Sequence, residues 1–241
     1  MATAAPILSL LAGGVALAGL GGAHFGILSP FTGFKVFAVG ALLGGLASVI
    51  VALVGLYLSR GGRDPEGRRG SLVGLASGLG LLILVLAAAA TGGDAPPIND
   101  ITTDLENPPA FRPASVVPDY RDRDMSYPID FVAIVREAYP DLSPLHLDTP
   151  PEEGFDRAIA AAESLGWEIV ARAPSDGVFD AQDVSAVFRF VDDITVRVVP
   201  EDGGSRIDIR SKSRDGKSDL GANAARIRRF LDALREQPDG S

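Results

Sequence analysis

One stretch decides the fold of this chain: Ile207-Asp-Ile-Arg-Ser-Lys-Ser-Arg-Asp-Gly-Lys-Ser-Asp-Leu-Gly-Ala-Asn223. Its first residues alternate apolar and polar side chains, as in a half-buried strand, and a polar loop with Gly216 then opens a helix. Serine and basic side chains therefore crowd a helix N-terminus, where free backbone N–H groups favour an anion. The same pattern also caps a helix in the ordinary way, so both interpretations stay open.

The strand in this stretch is predicted to be the second strand of a hairpin. Asp202-Gly203 is a strong signal for a type I′ turn between Ile194–Val199 and Arg206–Ser211. That turn fixes the register of the two strands. The register pairs Val196 with Ile209 and Val198 with Ile207 on the buried side, and Arg197 with Asp208 and Thr195 with Arg210 on the other side.

The remaining elements follow from hydrophobic periodicity. Strands are predicted at Trp167–Arg172 and Val184–Val191, and helices at Phe131–Tyr139, Glu152–Leu165 and Leu220–Glu236. The last helix is expected to bury Leu220, Ala224, Ile227, Leu231 and Leu234. We therefore predict an α+β domain over residues 119–237, in which an antiparallel four-stranded sheet packs against helices. The prolines of residues 94–118 predict an extended arm that lies against this domain.

The N-terminal part, residues 1–93, is predicted to be a transmembrane region. Three apolar runs, at about residues 7–23, 34–58 and 71–91, reach or approach the ~20 residues that span a hydrocarbon core. The loop Arg60–Arg69 carries four arginines, and the positive-inside rule places it in the cytoplasm. We therefore expect a cytoplasmic N-terminus, three helices in the cytoplasmic (inner) membrane, and a periplasmic or otherwise extracytoplasmic C-terminal domain.

Small residues recur at four-residue spacing in two of these helices. Gly40 and Gly44 form one GxxxG step, and Gly70, Gly74 and Gly78 form two more. Such steps allow helix backbones to approach closely in lipid. The three helices either pack on one another through these glycines or present a docking face for another subunit of a membrane-protein complex.

Composition restricts the chemistry further. Five basic and three acidic residues give residues 1–95 a net charge of +2, which leaves −11 for residues 96–241 out of the total of −9. A domain this acidic is a poor partner for nucleic acid. The chain has no Cys, and its two histidines, His24 and His146, lie in different regions. We therefore expect no cofactor, no metal site and no Ser-His-Asp triad.

The opening stretch supplies the candidate binding site, for a small anionic ligand or a partner. A helix N-terminus, hydroxyls and arginines together could hold a phosphate, a carboxylate or a lipid headgroup. The candidates are Arg210, Ser211, Ser213, Arg214, Asp219, Asn223 and Arg226. The structural alternative makes Ser218 or Asp219 the helix cap. It pairs Arg214 with Asp219 or with Asp192/Asp193, and it lets Asn223 reach back to the loop.

Asp192, Asp193 and Arg197 are secondary candidates. Asp192-Asp193 is the tight acidic pair beside a strand, but a metal or general-acid role would need further ligands or bases that converge on it. The alternative is a turn between two strands, because Asp tolerates irregular backbone. No residue is assigned a catalytic role.

Several blocks of this sequence together form a recognisable pattern. They are Asn99-Asp-Ile-Thr-Thr-Asp104, Pro108-Pro-Ala-Phe111, Tyr139-Pro-Asp-Leu142, Ala161-Ala-Glu-Ser-Leu-Gly-Trp167, Asp192-Asp193 with Arg197, and Asp208-Ile-Arg-Ser-Lys-Ser-Arg214 with Gly216, Asp219, Gly221, Asn223 and Arg226. They cover nearly all of residues 95–235 in order, and the pattern resembles DUF1499, a domain of unknown function. Phe179-Asp-Ala-Gln182 departs from the Glu-Ala pair expected there. The resemblance implies membrane association and a domain boundary, and no established reaction.

Together these observations favour a non-enzymatic membrane protein. It would present an extracytoplasmic interaction or small-ligand-binding domain, as an accessory or scaffold subunit. The alternative is a hydrolase or transferase that acts on an anionic envelope substrate through Arg210, Ser213, Arg214 and Asp192/Asp193.

Overall fold

The computed structural model of the protein describes residues 4–61, 64–90 and 93–237. The chain divides into two compact units. The first is Met1–Gly93 together with Ser185–Arg189, and the second is Asp94–Val184 together with Phe190–Ser241.

Three long apolar helices fill the N-terminal unit. They are α1 (Ala4–His24), α2 (Pro30–Leu58) and α3 (Pro65–Ala90), and each is long and apolar enough to cross a membrane. The prediction of three such helices is confirmed. Each begins earlier than its apolar run does, because proline is well suited to the first turn of α2 and α3. Thr91, the predicted end of the third run, lies outside the described residues.

Glycines on α2 and α3 contact the neighbouring helices of the same chain. A methyl group on Gly44 would overlap Ala12 of α1, and one on Gly74 would overlap Ala5. Gly78 packs against the backbone of Gly45. This is the close approach that small residues allow in lipid. The use of Gly40/Gly44 and Gly70/Gly74/Gly78 by a second subunit stays a prediction.

Two buried serines join the same three helices. The hydroxyls of Ser9 on α1 and Ser48 on α2 share a hydrogen bond, and the Ser48 hydroxyl also donates to the carbonyl oxygen of Gly74 on α3 at 3.1 Å. Without water to replace them, such bonds favour one arrangement of the helices. Near the middle of α2, residues Gly40–Gly44 form a π-helical turn.

The C-terminal unit is built on one antiparallel sheet of six strands. They are β1 (Asp100–Thr102), β2 (Leu145–Leu147), β3 (Glu168–Ala173), β4 (Val178–Val184), β5 (Val191–Glu201) and β6 (Gly204–Ser213). The order is β1-β6-β5-β4-β3, and β2 also pairs with β6. The predicted four-stranded sheet was therefore too small. The two additional strands, β1 and β2, have three residues each, which is too short to show a periodicity.

The predicted strand Val184–Val191 is wrong. Val184 ends β4, Val191 begins β5, and a turn joins them. The apolar residues of this segment are concentrated in the turn. By contrast, β4 itself alternates apolar Phe179 and Ala181 with buried polar Asp180 and Gln182. A strand with both faces buried but one face polar gives no simple hydrophobic signal.

The predicted hairpin register is confirmed at every pair. Val196 faces Ile209, and Arg197 faces Asp208. Asp202 and Gly203 both have positive φ, 50° and 86°, as a type I′ turn requires.

Three helices accompany the sheet: α4 (Phe131–Ala138), α5 (Pro151–Ser164) and α6 (Ala222–Glu236). The core lies between α5, α6 and one sheet face, and Trp167 stacks on Phe230 of α6 with centroids 5.1 Å apart. The prediction that the last helix buries Leu220 is wrong. This residue precedes α6, has a left-handed backbone conformation and is 54% exposed. The opposite sheet face is covered by residues 103–127, which we call the covering segment.

Candidate functional site

The predicted site residues divide between the two faces of the sheet. Successive side chains of a strand point to opposite faces. Arg210 and Arg214 therefore lie on the face under the covering segment, whereas Ser211 and Ser213 lie on the helix-packed face with Asn223 and Arg226. Six of the seven candidates thus form two separate groups instead of one anion cradle, and the seventh, Asp219, lies just before the last helix.

The group on the helix face is a closed hydrogen-bond network around Asn223. The Asn223 amide oxygen accepts from the Ser211 hydroxyl and from Arg226 Nη1, both at 2.7 Å. Its amide nitrogen donates to the Ser213 hydroxyl at 3.0 Å and to the Asn99 carbonyl oxygen at 3.2 Å. Asn223 is fully buried, so these bonds satisfy an amide that has no access to water.

Arg226 completes this network with two carboxylates. Its Nε donates to Asp183 Oδ2 at 2.8 Å, and its Nη2 donates to Asp192 Oδ2. Asp183 and Asp192 face each other across β4 and β5. Burial raises the pKa of the Asp192 carboxyl, and the charge of Arg226 acts against that rise. The guanidinium is therefore needed to hold two neighbouring carboxylates, and its charge is already compensated.

Gly221 is the N-cap of the last helix, so neither Ser218 nor Asp219 has the predicted cap position, but Asp219 still binds the N–H groups at the helix start. Its carboxylate oxygens accept from the backbone N–H groups of Gly221 at 2.8 Å and of Asn223 at 2.9 Å. An anion at this helix N-terminus would meet a carboxylate that already occupies the N–H groups.

Arg210 is the centre of the opposite face. Its Nε and Nη2 donate to the two carboxylate oxygens of Asp100 at 2.9 and 2.7 Å, and the Ser126 carbonyl oxygen accepts at 2.9 Å. The rings of Phe111 and Tyr127 lie 4.8 and 5.2 Å from the guanidinium carbon. Arg210 is only 2% exposed, so its donors and its flat faces are used inside the protein.

Arg214 is held in the same manner at the next position. It donates to both oxygens of Asp193 at 2.7–3.1 Å and to Asp119 at 3.2 Å. Arg123 of the covering segment lies 2.7 Å from Asp193 as well. Hydrogen bonds from Gln182 and Arg214 lower the pKa of the Asp119 carboxyl.

A third group surrounds Asp208, which is fully buried. Arg197 and Arg206 each contact its carboxylate, at 2.7 and 3.0 Å, and both reach Asp104 of the covering segment at 2.9 and 2.6 Å. The pKa of Arg206 is raised, mainly through its hydrogen bond with Asp208. We call these three groups together the charged layer. It comprises Asp100, Asp104, Asp119, Asp193 and Asp208 with Arg123, Arg197, Arg206, Arg210, Lys212 and Arg214.

The carboxyl of Asp180, beside the charged layer, has fewer hydrogen-bond partners than the carboxylates within the layer. Asp180 is fully buried, and its Oδ2 accepts only from the backbone N–H of Arg112, at 2.8 Å. Within the described residues, its Oδ1 and the hydroxyls of Tyr120 and Thr195 have no hydrogen-bond partner of good geometry. Thr195 faces Asp180 across the strands, and burial raises the pKa of the Asp180 carboxyl. Burial therefore makes the Asp180 carboxyl harder to ionise than a carboxyl in water.

This arrangement limits what the site can do chemically. Asp192 and Asp193 point to opposite sheet faces and contact different arginines, so they cannot share a metal or a proton. Both aspartates lie within β5, so the alternative interpretation of Asp192-Asp193 as a turn between two strands is wrong. No group of metal ligands occurs among residues 4–61, 64–90 and 93–237. An external anion would have to displace Asp100 or Asp193 to reach Arg210 or Arg214.

Sequence reasoning found two acidic partners of the arginines, Asp208 for Arg197 and Asp193 as an alternative for Arg214, and missed the others. Asp100 lies in a short strand, and Asp119 and Arg123 lie in the Pro-rich covering segment, where periodicity has no meaning. One signal was present. The predicted register places Thr195 opposite Arg210 on the non-core face, so a buried Arg there requires a carboxylate from elsewhere.

Residues 100–234, more than half of the chain, match the model of a protein family described as "Protein of unknown function (DUF1499)". The match contains every residue of the charged layer. No curated protein matches the chain.

Replacement of Asp100 by Asn should strongly destabilise the domain. The change leaves the Arg210 guanidinium buried with a neutral partner in place of a carboxylate, and breaking a buried pair typically costs about 3–5 kcal/mol. The measurement is denaturant unfolding of the full chain in detergent, followed by the fluorescence of Trp167, the single tryptophan, which is buried in the domain core.

Asp141→Asn is the matched control. It also removes a carboxylate from an Arg pair, with Arg228, but both side chains are about half exposed. We expect a loss below about 1 kcal/mol. If both variants lost the same free energy of unfolding, the buried pair would stabilise the domain no more than the exposed pair does, and the prediction would be wrong.

Asp180→Asn should change the pH dependence of stability. The pKa of the Asp180 carboxyl is raised in the folded protein, so its neutral form is favoured, and stability falls as the pH rises through that pKa. The Asn variant cannot ionise. Its unfolding midpoint relative to wild type should therefore rise as the pH increases above about 4, near the unfolded pKa. A difference that does not vary with pH would contradict the prediction.

Proposed function

The chain belongs to the DUF1499 family of proteins of unknown function, and we propose that it is an integral membrane protein that works by binding. Its three helices anchor an α+β domain outside the cytoplasm, and this domain serves a membrane complex as an accessory or scaffold subunit. The first part of the proposal rests on the three long apolar helices.

The charged layer is the observation that carries the proposal of binding. General acid–base or nucleophilic catalysis needs a group that can change its proton or its partner within reach of a substrate. Here Arg210, Arg214 and Arg226 are each held by buried carboxylates, and the Ser211 hydroxyl is held by Asn223. His146 is exposed and paired with Glu201. Groups locked in this way build a rigid shape, which suits recognition better than turnover.

The acidic surface favours a particular kind of partner. Residues 96–241 carry a net charge of −11, and most of the arginines of the sheet form ion pairs inside the domain. The exposed surface is therefore negative. A negative domain is attracted to a basic surface on another protein and repelled by nucleic acid.

The arginines between α2 and α3 and in the first turns of α3 support the proposed orientation. Arg60, Arg68 and Arg69 flank the membrane on one side, and the positive-inside rule makes this side the cytoplasm. One more crossing, by α3, separates this loop from residues after Gly93. This arrangement supports the proposal that the domain lies on the extracytoplasmic side.

Single-cysteine labelling tests the orientation directly, because the natural chain has no Cys. Glu66 and Lys217 are both exposed and lie on opposite sides in this proposal. A membrane-impermeant maleimide added to intact cells stripped of any outer membrane should label Lys217→Cys and leave Glu66→Cys unlabelled until the membrane is permeabilised. The reverse pattern would place the domain in the cytoplasm.

Native mass spectrometry tests the binding role. The intact protein is extracted in mild detergent from its native membrane, with an unrelated tagged three-span protein as the control for carry-over. We expect a second polypeptide at fixed stoichiometry that the control lacks. A bare monomer from every mild detergent tried would contradict the accessory-subunit proposal.

A further inference from the structure

Three exposed arginines lie where α2 ends and α3 begins. Arg60 is two positions beyond the last residue of α2, and Arg68 and Arg69 lie in the first turns of α3. We call these three residues the arginine cluster. Residues 59–70 carry four arginines and two carboxylates, which gives this part of the chain a net charge of +2. The segment is therefore cationic, directly beside two long apolar helices.

Helix packing places the three arginines at a similar depth. A methyl group on Gly55 of α2 would overlap the Ser71 hydroxyl of α3, so the two antiparallel helices touch at this point. Arg60 lies five residues beyond Gly55, whereas Arg68 and Arg69 lie three and two residues before Ser71. At a rise of about 1.5 Å per residue, all three α-carbons lie roughly 3–8 Å beyond the contact, on the same side of it.

The arginine cluster has no internal counter-charge. Within the described residues, no carboxylate forms an ion pair with Arg60, Arg68 or Arg69. The Asp64 carboxylate instead accepts from the backbone N–H of Gly67 at 2.8 Å, at the start of α3. In the charged layer, by contrast, every arginine contacts a carboxylate. The donors of the arginine cluster are therefore available to an external anion.

Arg60 lies against an aromatic ring at the edge of the apolar surface. Its guanidinium carbon is 3.8 Å from the centroid of the Tyr57 ring. Stacking of this kind uses the flat face of the guanidinium and leaves its N–H edge free for an oxyanion. Tyr57 is 61% exposed, and Leu58 beside it is 54% exposed. Tyrosine at the end of an apolar helix is typical of the level of lipid headgroups.

We propose that the arginine cluster binds the phosphate of an anionic phospholipid. Arg60 contacts the phosphate from α2, and Arg68 and Arg69 contact it from α3. The occupant is a lipid because exposed Tyr57 and Leu58 adjoin the cluster, so one molecule meets cations with its phosphate and apolar side chains with its acyl chains.

The charge of the cluster selects among phospholipids. A zwitterionic lipid also carries a phosphate, but its choline or ethanolamine cation is repelled by three arginines that lack a counter-charge. An anionic headgroup meets no such repulsion. The inference rests on the proposed insertion of the helices into a bilayer. It does not depend on which side of the membrane the cluster faces, on the α+β domain or on a protein partner.

Native mass spectrometry with added lipid tests this site in the full-length protein. The purified protein in mild detergent receives equimolar phosphatidylglycerol and phosphatidylcholine with the same acyl chains, and the bound copies of each lipid are counted. The variants are Arg60→Gln, Arg60→Gln combined with Arg68→Gln and Arg69→Gln, and the same triple change to Lys. Helix content from circular dichroism shows whether each variant is folded.

Lys35→Gln is the matched control for Arg60→Gln. Lys35 is also an exposed cation of α2, and its Nζ lies 4.8 Å from the centroid of the Phe31 ring, but it stands alone near the other end of the helix. Flotation of the wild-type protein with phosphatidylcholine vesicles tests membrane insertion separately.

We expect the wild-type protein to prefer phosphatidylglycerol. Each cation near a lipid surface contributes about fivefold in affinity, so Arg60→Gln should reduce the preference about fivefold and the triple Gln variant at least about tenfold. The triple Lys variant should keep most of it, because the charge remains, and Lys35→Gln should leave it unchanged.

Equal binding of the two lipids by a wild-type protein that floats would overturn this inference alone. A preference that survives the triple Gln change, or that falls as much with Lys35→Gln as with Arg60→Gln, would also overturn it. Failure to float would overturn both this inference and the proposed membrane anchor.

Discussion

The α+β domain depends on the ion pair between Arg210 and Asp100. It joins the first strand to β6 across 110 residues of sequence, and it lies under the covering segment with 2% and 0% of the two side chains exposed. The chain can bury this arginine only if Asp100 reaches it from β1 and if Ser126 and Pro109 present their carbonyl oxygens from the covering segment. One guanidinium thus makes the placement of two distant segments interdependent.

The rest of the domain follows from a sheet with two unlike buried faces. Alternation along β5 and β6 sends Val196, Ile207 and Ile209 to the helices, and sends Arg197, Asp208 and Arg210 to the covering segment. The apolar face supplies the hydrophobic driving force for folding. The charged face contributes little net stability, because the Coulomb attraction mainly offsets the loss of hydration. It does supply specificity, since a strand shifted by one residue would bring isoleucine to the carboxylates and arginine to the helices.

Strands and their pairing could be predicted from the sequence wherever the hydrophobic alternation extended over enough residues to be detected. The hairpin around Asp202-Gly203 could be predicted to the residue because a turn with positive φ and strict alternation point to one register. The strand β4 could not, because Asp180 and Gln182 interrupt its apolar pattern although both are buried. The division of the candidate site residues into separate groups could not be predicted for a related reason. The residues from Arg210 to Arg214 are adjacent in sequence, but strand geometry separates them onto two faces.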